Sequence, residues 1–437
     1  MLQTVINALK VKEIRRKVYM MLLLLLVFRI GCFIPVPGLE RSTFSEIVGG
    51  NDFLTLMSSI TGGALSQGTV FALGIGPYIN ASIIMQLLSV GIPALENLSK
   101  QGEEGRKKIA QYTRYVTILL AVVQSIGIIV GYGSDAIQVS LFFDQTWIAG
   151  VFMAVVYTAG ALLVMWLGER ITDYGVGNGQ SMIIFVGMLA TAGNSIVGQF
   201  KLVFEGGDEG IKAIWGLVAF VLVSAVIFFA IVYVDLSERK VNVQYAKQMR
   251  GRKMYGGQSS SIPIRISGGG VMPLIFAFSI LSFPQMIASM VNGGDNAFNT
   301  WWSNWMSASA QGWGAVVYSI VLCLLIFAFS FFYAQMQFNP EDVSKSIQQN
   351  GGFIQGIRPG KATENYLKKI SNRITLFGAI YLSLVAFIPS LAFAWANLAL
   401  VNVFSTTGIL IVVSVAMEFE KQLQAQLMMK NYKGFLK

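Results

Sequence analysis

Residues 71–88 read FALGIGPYINASIIMQLL, a stretch that is apolar enough for a membrane helix. Ile75 and Ile79 are four residues apart, so they share one face of that helix. The stretch also holds residues that weaken a helix and amides that lipid does not solvate, namely Gly74, Gly76, Pro77, Asn80 and Gln86. One such helix could simply pack closely against its neighbours, but GNGQSMIIF (177–185), GGGVMPLIF (268–276) and TTGILIVV (406–413) repeat the pattern, and together these spans predict the lining of a pathway.

Composition predicts a membrane protein for the chain as a whole. It has 437 residues, of which 54% are hydrophobic and 12% charged, about half of the ~25% charged residues of soluble domains. Cys32 and Cys323 lie in apolar runs without a disulfide framework or metal-ligand spacing, and histidine is absent. We therefore expect no metal and no cofactor, and the absence of histidine disfavours an enzyme without excluding one.

The N-terminus has the charge pattern of a secretory signal, with KVKEIRRK (10–17) followed by VYMMLLLLLVF (18–28). No small-x-small cleavage site follows, so we expect a retained first span. Apolar runs of the ~20 residues that a bilayer requires predict ten spans, at 18–36, 68–92, 113–133, 146–168, 178–199, 211–234, 271–291, 313–336, 373–390 and 392–416. The apolar segment 53–61 is too short to cross, which predicts a half-helix surrounded by protein or water.

Basic residues predict the orientation of the spans. The two termini and alternate loops hold 28 of the 32 Lys and Arg residues. By the positive-inside rule, these segments and both termini are cytoplasmic. The loops 236–270 and 338–371 are longer than topology alone requires, which indicates a binding function. Their positive charge suits anionic lipid, ribosomal RNA or an acidic protein.

The sequence gives little support for ion-coupled transport or for nucleotide hydrolysis. The spans hold no Asp, Glu, Lys or His near mid-depth, and Arg29 is the one clear intramembrane charge. This pattern disfavours a proton-coupled carrier, although sodium coupling at broken helices stays open. No nucleotide-binding G-x-x-x-x-G-K-[ST] loop occurs, and GVGNG (175–179) fits the first turn of a helix without a ligand.

Several motifs occur in an order typical of one family: VFRIGCFIPVPG, GGAL before FALGIGPYINASIIMQLL, KQGEEGRKKIAQYTRY, WLGERIT with GVGNG, QYAK with GGQSS, FNPED, GGFIQGIRPGK and the ending KNYKGFLK. They resemble the SecY family of bacterial protein-translocation channels. The resemblance implies an all-α polytopic protein whose ten transmembrane helices form two inverted pseudo-symmetric halves around a central pore. These halves would be residues 1–200 and 201–437.

The resemblance also implies functional positions. An aliphatic ring closes the pore in this family, and the matching residues here are Ile75, Ile79, Ile184, Ile275 and Ile411, with Gln180 where the family usually has isoleucine. A short plug helix, about 53–63, seals that ring through Phe53, Leu54, Leu56, Met57 and Ile60, with a hinge at Gly62 and Gly63.

Two further sets of residues follow from the same resemblance. A lateral gate between the second and third spans and the seventh and eighth would involve Asn80, Gln124, Ser279 and Phe283. Arg252, Lys253 and Arg358 match tips of the two basic loops, which dock the SecA ATPase or the ribosome in the family.

The implied function is translocation of unfolded, signal-bearing precursors across the bacterial cytoplasmic membrane, with lateral release of membrane segments. SecE and SecG would be partner subunits, and SecA or the ribosome would supply energy. Three alternatives remain at this stage: an accessory paralogue for dedicated substrates, a small-solute secondary transporter, and a membrane enzyme. The last lacks any nucleophile–base pair or metal set in the sequence.

Overall fold

The computed structural model is mostly helical. It describes residues 2–49, 52–130, 136–137, 145–205, 207–245, 248–250, 253–255, 259–266, 272–289, 297–306, 310, 312–396 and 406–434. Its helices are α1 Leu2–Lys10, α2 Lys12–Gly31, α3 Arg41–Gly49, α4 Asp52–Ile60, α5 Gly76–Gly91, α6 Pro93–Lys100, α7 Glu103–Ile128, α8 Thr146–Tyr174, α9 Gly179–Glu205, α10 Gly207–Leu236, α11 Met272–Ser289, α12 Ala297–Trp305, α13 Trp313–Gln337, α14 Pro340–Gln349, α15 Lys361–Ala396 and α16 Thr406–Gly434.

Five short strands complete the structure: β1 Glu238–Tyr245, β2 Gln248–Arg250, β3 Lys253–Tyr255, β4 Ser259–Arg265 and β5 Gly352–Phe353. β1 pairs antiparallel with β4 on one side and β5 on the other, while β2 and β3 form a separate pair. The all-α expectation therefore missed a small sheet. Its cause is the alternation in β1, where Val241 and Val243 are buried between exposed neighbours.

The apolar helices account for the expected membrane character. By length and composition, four of the described helical segments could cross a membrane: Thr146–Tyr174, Gly179–Gly198, Trp313–Gln349 and Lys361–Phe387. α5 and α6 pass the same test together as a pair bent by 100°, which gives a fifth. A helix overlaps each of the other five predicted spans, and the described residues of α10 and α11 contribute the shorter apolar helices Ser224–Leu236 and Met272–Leu281, so the count of ten remains a prediction.

The second predicted span, 68–92, differs from the structure at its start. Residues 69–75 form consecutive turns, and α5 begins only at Gly76, with Pro77 in its first turn. Gly68 and Gly74 have φ values of 57° and 53°, which side chains with a Cβ rarely adopt. The hydropathy of this stretch continues through 68–75, but its glycines break the helix there.

The two basic loops form one structural unit instead of two separate loops. Strand β5, from the second loop, adds to β1 of the first, and α14 packs against α15 beneath them. A hydrophobic cluster joins these elements, formed by Val241, Val243, Ile264, Ile347, Ile354 and Leu367. We call β1, β4, β5, α14 and the first turns of α15 the loop unit. Its own core gives it a fixed shape that a solvated charged loop would lack.

Close packing of α8 against the non-helical turns yields a test of this arrangement. A Cβ at Gly160 would lie 1.9 Å from the carbonyl oxygen of Val70. Gly160→Ala should therefore destabilise the folded protein by about 1–3 kcal/mol, because a backbone oxygen cannot give way cheaply. The midpoint of heat-induced loss of the monodisperse peak in detergent, measured by size-exclusion chromatography, reports this change.

Gly150 on the same helix is the matched control, since a Cβ there would meet Cγ2 of Ile129 at an ordinary 3.8 Å. Gly150→Ala should leave the midpoint unchanged or slightly raised. Equal midpoints for the two variants would contradict the packing of α8 against residue 70.

Candidate functional site

The five isoleucines predicted for the pore ring all belong to or pack against one large hydrophobic cluster. Ile75, Ile184 and Ile411 are buried members of the largest hydrophobic cluster, and Ile79 and Ile275 are partly buried against it. They come from α9, α11, α16 and the start of α5. The backbone N–H of Ile79 donates to the carbonyl of Ile75 at 3.1 Å, so these two stand one turn apart as expected.

Gln180 lies beside this cluster at the start of α9 and is half-buried. A Cβ at Gly168 would lie 3.2 Å from Cγ of Gln180 and 3.5 Å from Cδ1 of Ile75, so both side chains approach the same point on α8. Its backbone N–H donates to Oδ1 of Asn178 at 3.0 Å, which caps the helix without a ligand. The amide side chain of Gln180 therefore lies beside the aliphatic side chain of Ile75.

The short helix predicted at 53–61 is α4, and it lies next to the isoleucine cluster. Ile60 packs against that cluster, whereas Leu54 and Met57 pack in and against a second cluster on the other side. Gly62 and Gly63 follow with φ values of 72° and 86°, so the chain reverses there in a conformation that favours glycine. The side chains of Phe53 and Leu56 lie outside the described part of the structure.

The residues predicted for the lateral gate sit on three helices that contact one another. Asn80 on α5 and Ser279 on α11 are half-buried, while Gln124 on α7 is buried. α11 contacts both α5 and α7. Phe283 belongs to α11, but its side chain is outside the described set.

Sequence reasoning missed one polar contact across the same region. The Tyr333 hydroxyl on α13 donates to Oε1 of Gln86 on α5, and Gln86 donates through Nε2 to the Ser82 hydroxyl at 3.2 Å. The bond joins residues 247 positions apart in the chain. The sequence showed that Gln86, inside a predicted span, needs a hydrogen-bond partner. It did not show that this partner is Tyr333.

Of the three residues predicted for docking, Arg358 is the one that the structure describes fully. Its side chain is exposed, and its carbonyl accepts a hydrogen bond from the Thr363 hydroxyl at 2.9 Å, which fixes the turn before α15. Lys253 lies in β3, but its side chain is not among those described, and Arg252 lies outside the described residues altogether.

Titratable groups form no metal site in the described part of the chain. No three His, Cys, Asp or Glu residues approach one another closely enough there to hold a metal ion. The carboxyl of Glu341 on the loop unit accepts a 2.6 Å hydrogen bond from Lys345, and this bond lowers the pKa of that carboxyl. Both side chains are exposed, so this pair stabilises α14 only slightly.

Comparison with known proteins now decides the family. The SecY family model matches residues 69–420 of the chain. The chain belongs to the SecY family. The curated protein named Protein translocase subunit SecY of Streptomyces coelicolor is 40% identical over 447 residues, and that of Halalkalibacterium halodurans is 39% identical over 439 residues. In both cases the alignment covers 100% of each chain.

Solved structures of SecY-type channels share the fold. One described as the structure of a protein conducting channel has a TM-score of 0.68 at 20% identity. A second, from work on the plug domain of the SecY protein, has a TM-score of 0.67 at 21% identity. A third, Sec61 in a canine ribosome-channel complex, has a TM-score of 0.64 at 18% identity. Each alignment covers 95% of this chain and 93% of the other.

The contact between α5 and α13 can be measured as a coupling energy. In a double-mutant cycle of Tyr333→Phe and Gln86→Met, we expect about 1 kcal/mol of coupling in thermal stability, the net worth of a neutral hydrogen bond. The cycle separates this bond from the contact of Gln86 with Ser82.

Tyr381→Phe is the matched control, because the Tyr381 hydroxyl is buried without a hydrogen-bond partner in the described structure. It should cost little stability. Additive effects of the Tyr333 and Gln86 substitutions would show that the two side chains do not hold the helices together.

Proposed function

We propose that this chain is the pore-forming subunit of a protein translocase, and that unfolded, signal-bearing precursors pass through the isoleucine cluster. One observation carries the proposal. Five isoleucines from separated parts of the chain belong to or pack against one hydrophobic cluster, and Ile60 of a half-helix too short to span a membrane packs against the same cluster, in a member of the SecY family. The relatives named as translocase subunits match over their full length, which favours the same activity here.

An aliphatic constriction suits a cargo of any sequence. Flexible apolar side chains bind every passing residue weakly, and a narrow apolar ring gates by dewetting when it is empty. We assign Ile75, Ile79, Ile184, Ile275 and Ile411 to this ring. Gln180 would make the ring locally wetter. α4 would be the plug that seals the resting channel, because it packs directly against the cluster.

The membrane arrangement in this proposal has ten spans in two halves, 1–200 and 201–437. The ring would then receive two helices from each half, with α5 and α9 from the first and α11 and α16 from the second. Such a pore opens sideways when α5 and α7 separate from α11 and α13. Asn80, Gln124, Ser279 and Phe283 would line that seam and admit apolar signal helices to lipid.

Energy would come from a partner that docks on the loop unit. The loop unit carries the exposed Arg358, and the predicted orientation of the basic segments places it with both termini on the cytoplasmic side of a bacterial membrane. A structural neighbour is described in a ribosome-channel complex, which supports a ribosome as one partner. By family resemblance, the SecA ATPase, SecE and SecG are further partners, and the positive charge of the loops suits anionic lipid and ribosomal RNA. The chain itself would supply a path and no catalysis.

Neither an accessory paralogue nor a solute carrier is favoured by any observation on this structure. Protease protection in reconstituted vesicles tests the proposal directly. Vesicles would hold the chain with its SecE partner and would receive SecA, ATP and a signal-bearing precursor. Precursor protected only when both ATP and this chain are present supports translocation. No protection, beside an active SecY-SecE control, would refute it.

Charge reversal on the loop unit tests docking separately. Arg358→Glu should lower ATP-dependent protection at least about tenfold, because disrupting an interfacial charge pair costs roughly 2–5 kcal/mol. The complex should still assemble, since Arg358 is exposed and outside the bundle. Arg41→Glu at the exposed start of α3 is the control, and it should translocate normally. Normal translocation by Arg358→Glu would remove this residue from the docking site.

The ring assignment predicts an ion leak. Ile75→Ser with Ile79→Ser places two hydroxyls in the constriction, so water and ions should enter the resting channel and raise the conductance of planar bilayers. Ile14→Ser is the control, because Ile14 is as buried as Ile75 but belongs to a separate small cluster with Ala8, Val176 and Leu423 that does not include α4. Equal conductance in the ring variant and the control would assign Ile75 and Ile79 to ordinary packing.

A further inference from the structure

Arg29 is a charged side chain inside a predicted span, and the function proposed above gives it no role. It lies near the C-terminal end of α2, in the first predicted span, and it is half-buried. Cations in membrane segments are costly and pair with carboxylates, carbonyls or water. Its Nη1 donates a 2.9 Å hydrogen bond to the carbonyl of Gly62, and its guanidinium lies 4.9 Å from the centre of the Phe33 ring.

Gly62 stands two residues beyond the end of α4, where helix carbonyls lack partners within the helix. Other elements supply donors to this end. The Thr191 hydroxyl of α9 donates to the carbonyl of Ser59 at 3.0 Å, and Sγ of Cys32 lies 3.9 Å from the carbonyl of Thr61. The positive charge of Arg29 also complements the negative end of the α4 dipole. The C-terminal end of α4 is therefore held from two sides. Arg29 of α2 and the following Cys32 contact it on one side, and Thr191 of α9 contacts it on the other.

Glycines make this close approach feasible. A Cβ at Gly62 would lie 2.7 Å from Nη1 of Arg29 and 3.0 Å from Cα of Gly187. In turn, a Cβ at Gly187 would lie 2.3 Å from the carbonyl oxygen of Ile60. The backbone after α4 thus fits between Arg29 and α9 with no room for another side chain.

We propose that Arg29 is the positioning residue that retains α4 in place, by holding the carbonyl at its hinge. The inference rests on the proposed role of α4 as a plug. α4 can move away only when the guanidinium gives up this carbonyl, which leaves a cation that needs water. Entry of water into the pore therefore lowers the cost of release, so hydration and plug displacement favour each other.

Hydrogen–deuterium exchange of the purified complex with its SecE partner tests retention without assuming channel activity. Arg29→Met removes the charge and the donors while keeping an apolar stem. It should raise the exchange of amides within 52–63 about tenfold, which corresponds to losing a hydrogen bond from a charged donor. Exchange within α2 itself should not change. Arg41→Met is the control for loss of an arginine elsewhere and should exchange as the parent protein does.

A second pair of variants keeps the test decisive. Arg29→Lys preserves the charge with a shorter, single-point donor and should raise exchange by less than Arg29→Met. Thr191→Val removes the hydroxyl that holds Ser59 with little change of shape and should raise exchange in the same segment. If Arg29→Met fails to assemble, parent-like exchange in both of these variants overturns the proposal.

Conductance separates this inference from the function on which it rests. Faster exchange together with a larger resting conductance in Arg29→Met supports both the retention of α4 and its role as a plug. Faster exchange with unchanged conductance supports retention and refutes the plug. Unchanged exchange in an assembled Arg29→Met complex overturns the role of Arg29.

Discussion

Backbone groups buried away from water must find partners within the protein, and residues 61–75 meet this demand without forming a helix. Val70 donates to the carbonyl of Ile34 and Val36 donates to that of Gly68, each at 3.0 Å, so the chain after α2 pairs with the turns before α5. The hydroxyl of Thr69 satisfies a further carbonyl inside the turns. This satisfied irregular segment allows a half-helix to end inside the bundle beside the isoleucine cluster.

Apolar contact alone would hold such a bundle together poorly in a bilayer. Lipid tails are as apolar as leucine, so helices gain little by exchanging lipid for one another, and small or polar residues hold them together. Few polar contacts are therefore enough to set which helices stay joined. The bond between Gln86 and Tyr333 and the bond between Arg29 and Gly62 are of this kind. Each can be broken while most of the packing around it is kept.

Motif order identified the family, and alignment to the family supplied the pore-ring positions; all five isoleucines belong to or pack against one hydrophobic cluster, and their role as a ring stays a prediction. Local patterns performed less evenly. Hydropathy placed α8, α9, α13 and α15 correctly, but it extended the second span through the glycines before Gly76. It also gave no sign that the two basic loops share a core. The alternation around Val241 was readable as a strand, yet its pairing with Phe353 depends on tertiary structure.

Partners of polar side chains were the least predictable part of the site. The sequence showed that Arg29 and Gln86 each require a partner, since neither is tolerated alone in lipid. Their partners lie 33 and 247 residues away in the chain. The partner of Arg29 is the backbone carbonyl of Gly62, and a backbone carbonyl has no sequence signature. Tyr333 lies in an aromatic run, and nothing in that run indicates that its hydroxyl binds Gln86.

The length of α15 gives the loop unit a mechanical role. Pro389 lies inside this 36-residue helix, and the segment ahead of it, Lys361–Phe387, has 27 residues and is about 40 Å long at 1.5 Å per residue. Its first turns, with Leu367, belong to the core of the loop unit, whereas Leu382 and Ala386 belong to the large cluster that contains the isoleucines. A helix anchored in both places couples them mechanically. A force applied at the loop unit by the proposed docking partner would reach the bundle as a tilt of α15.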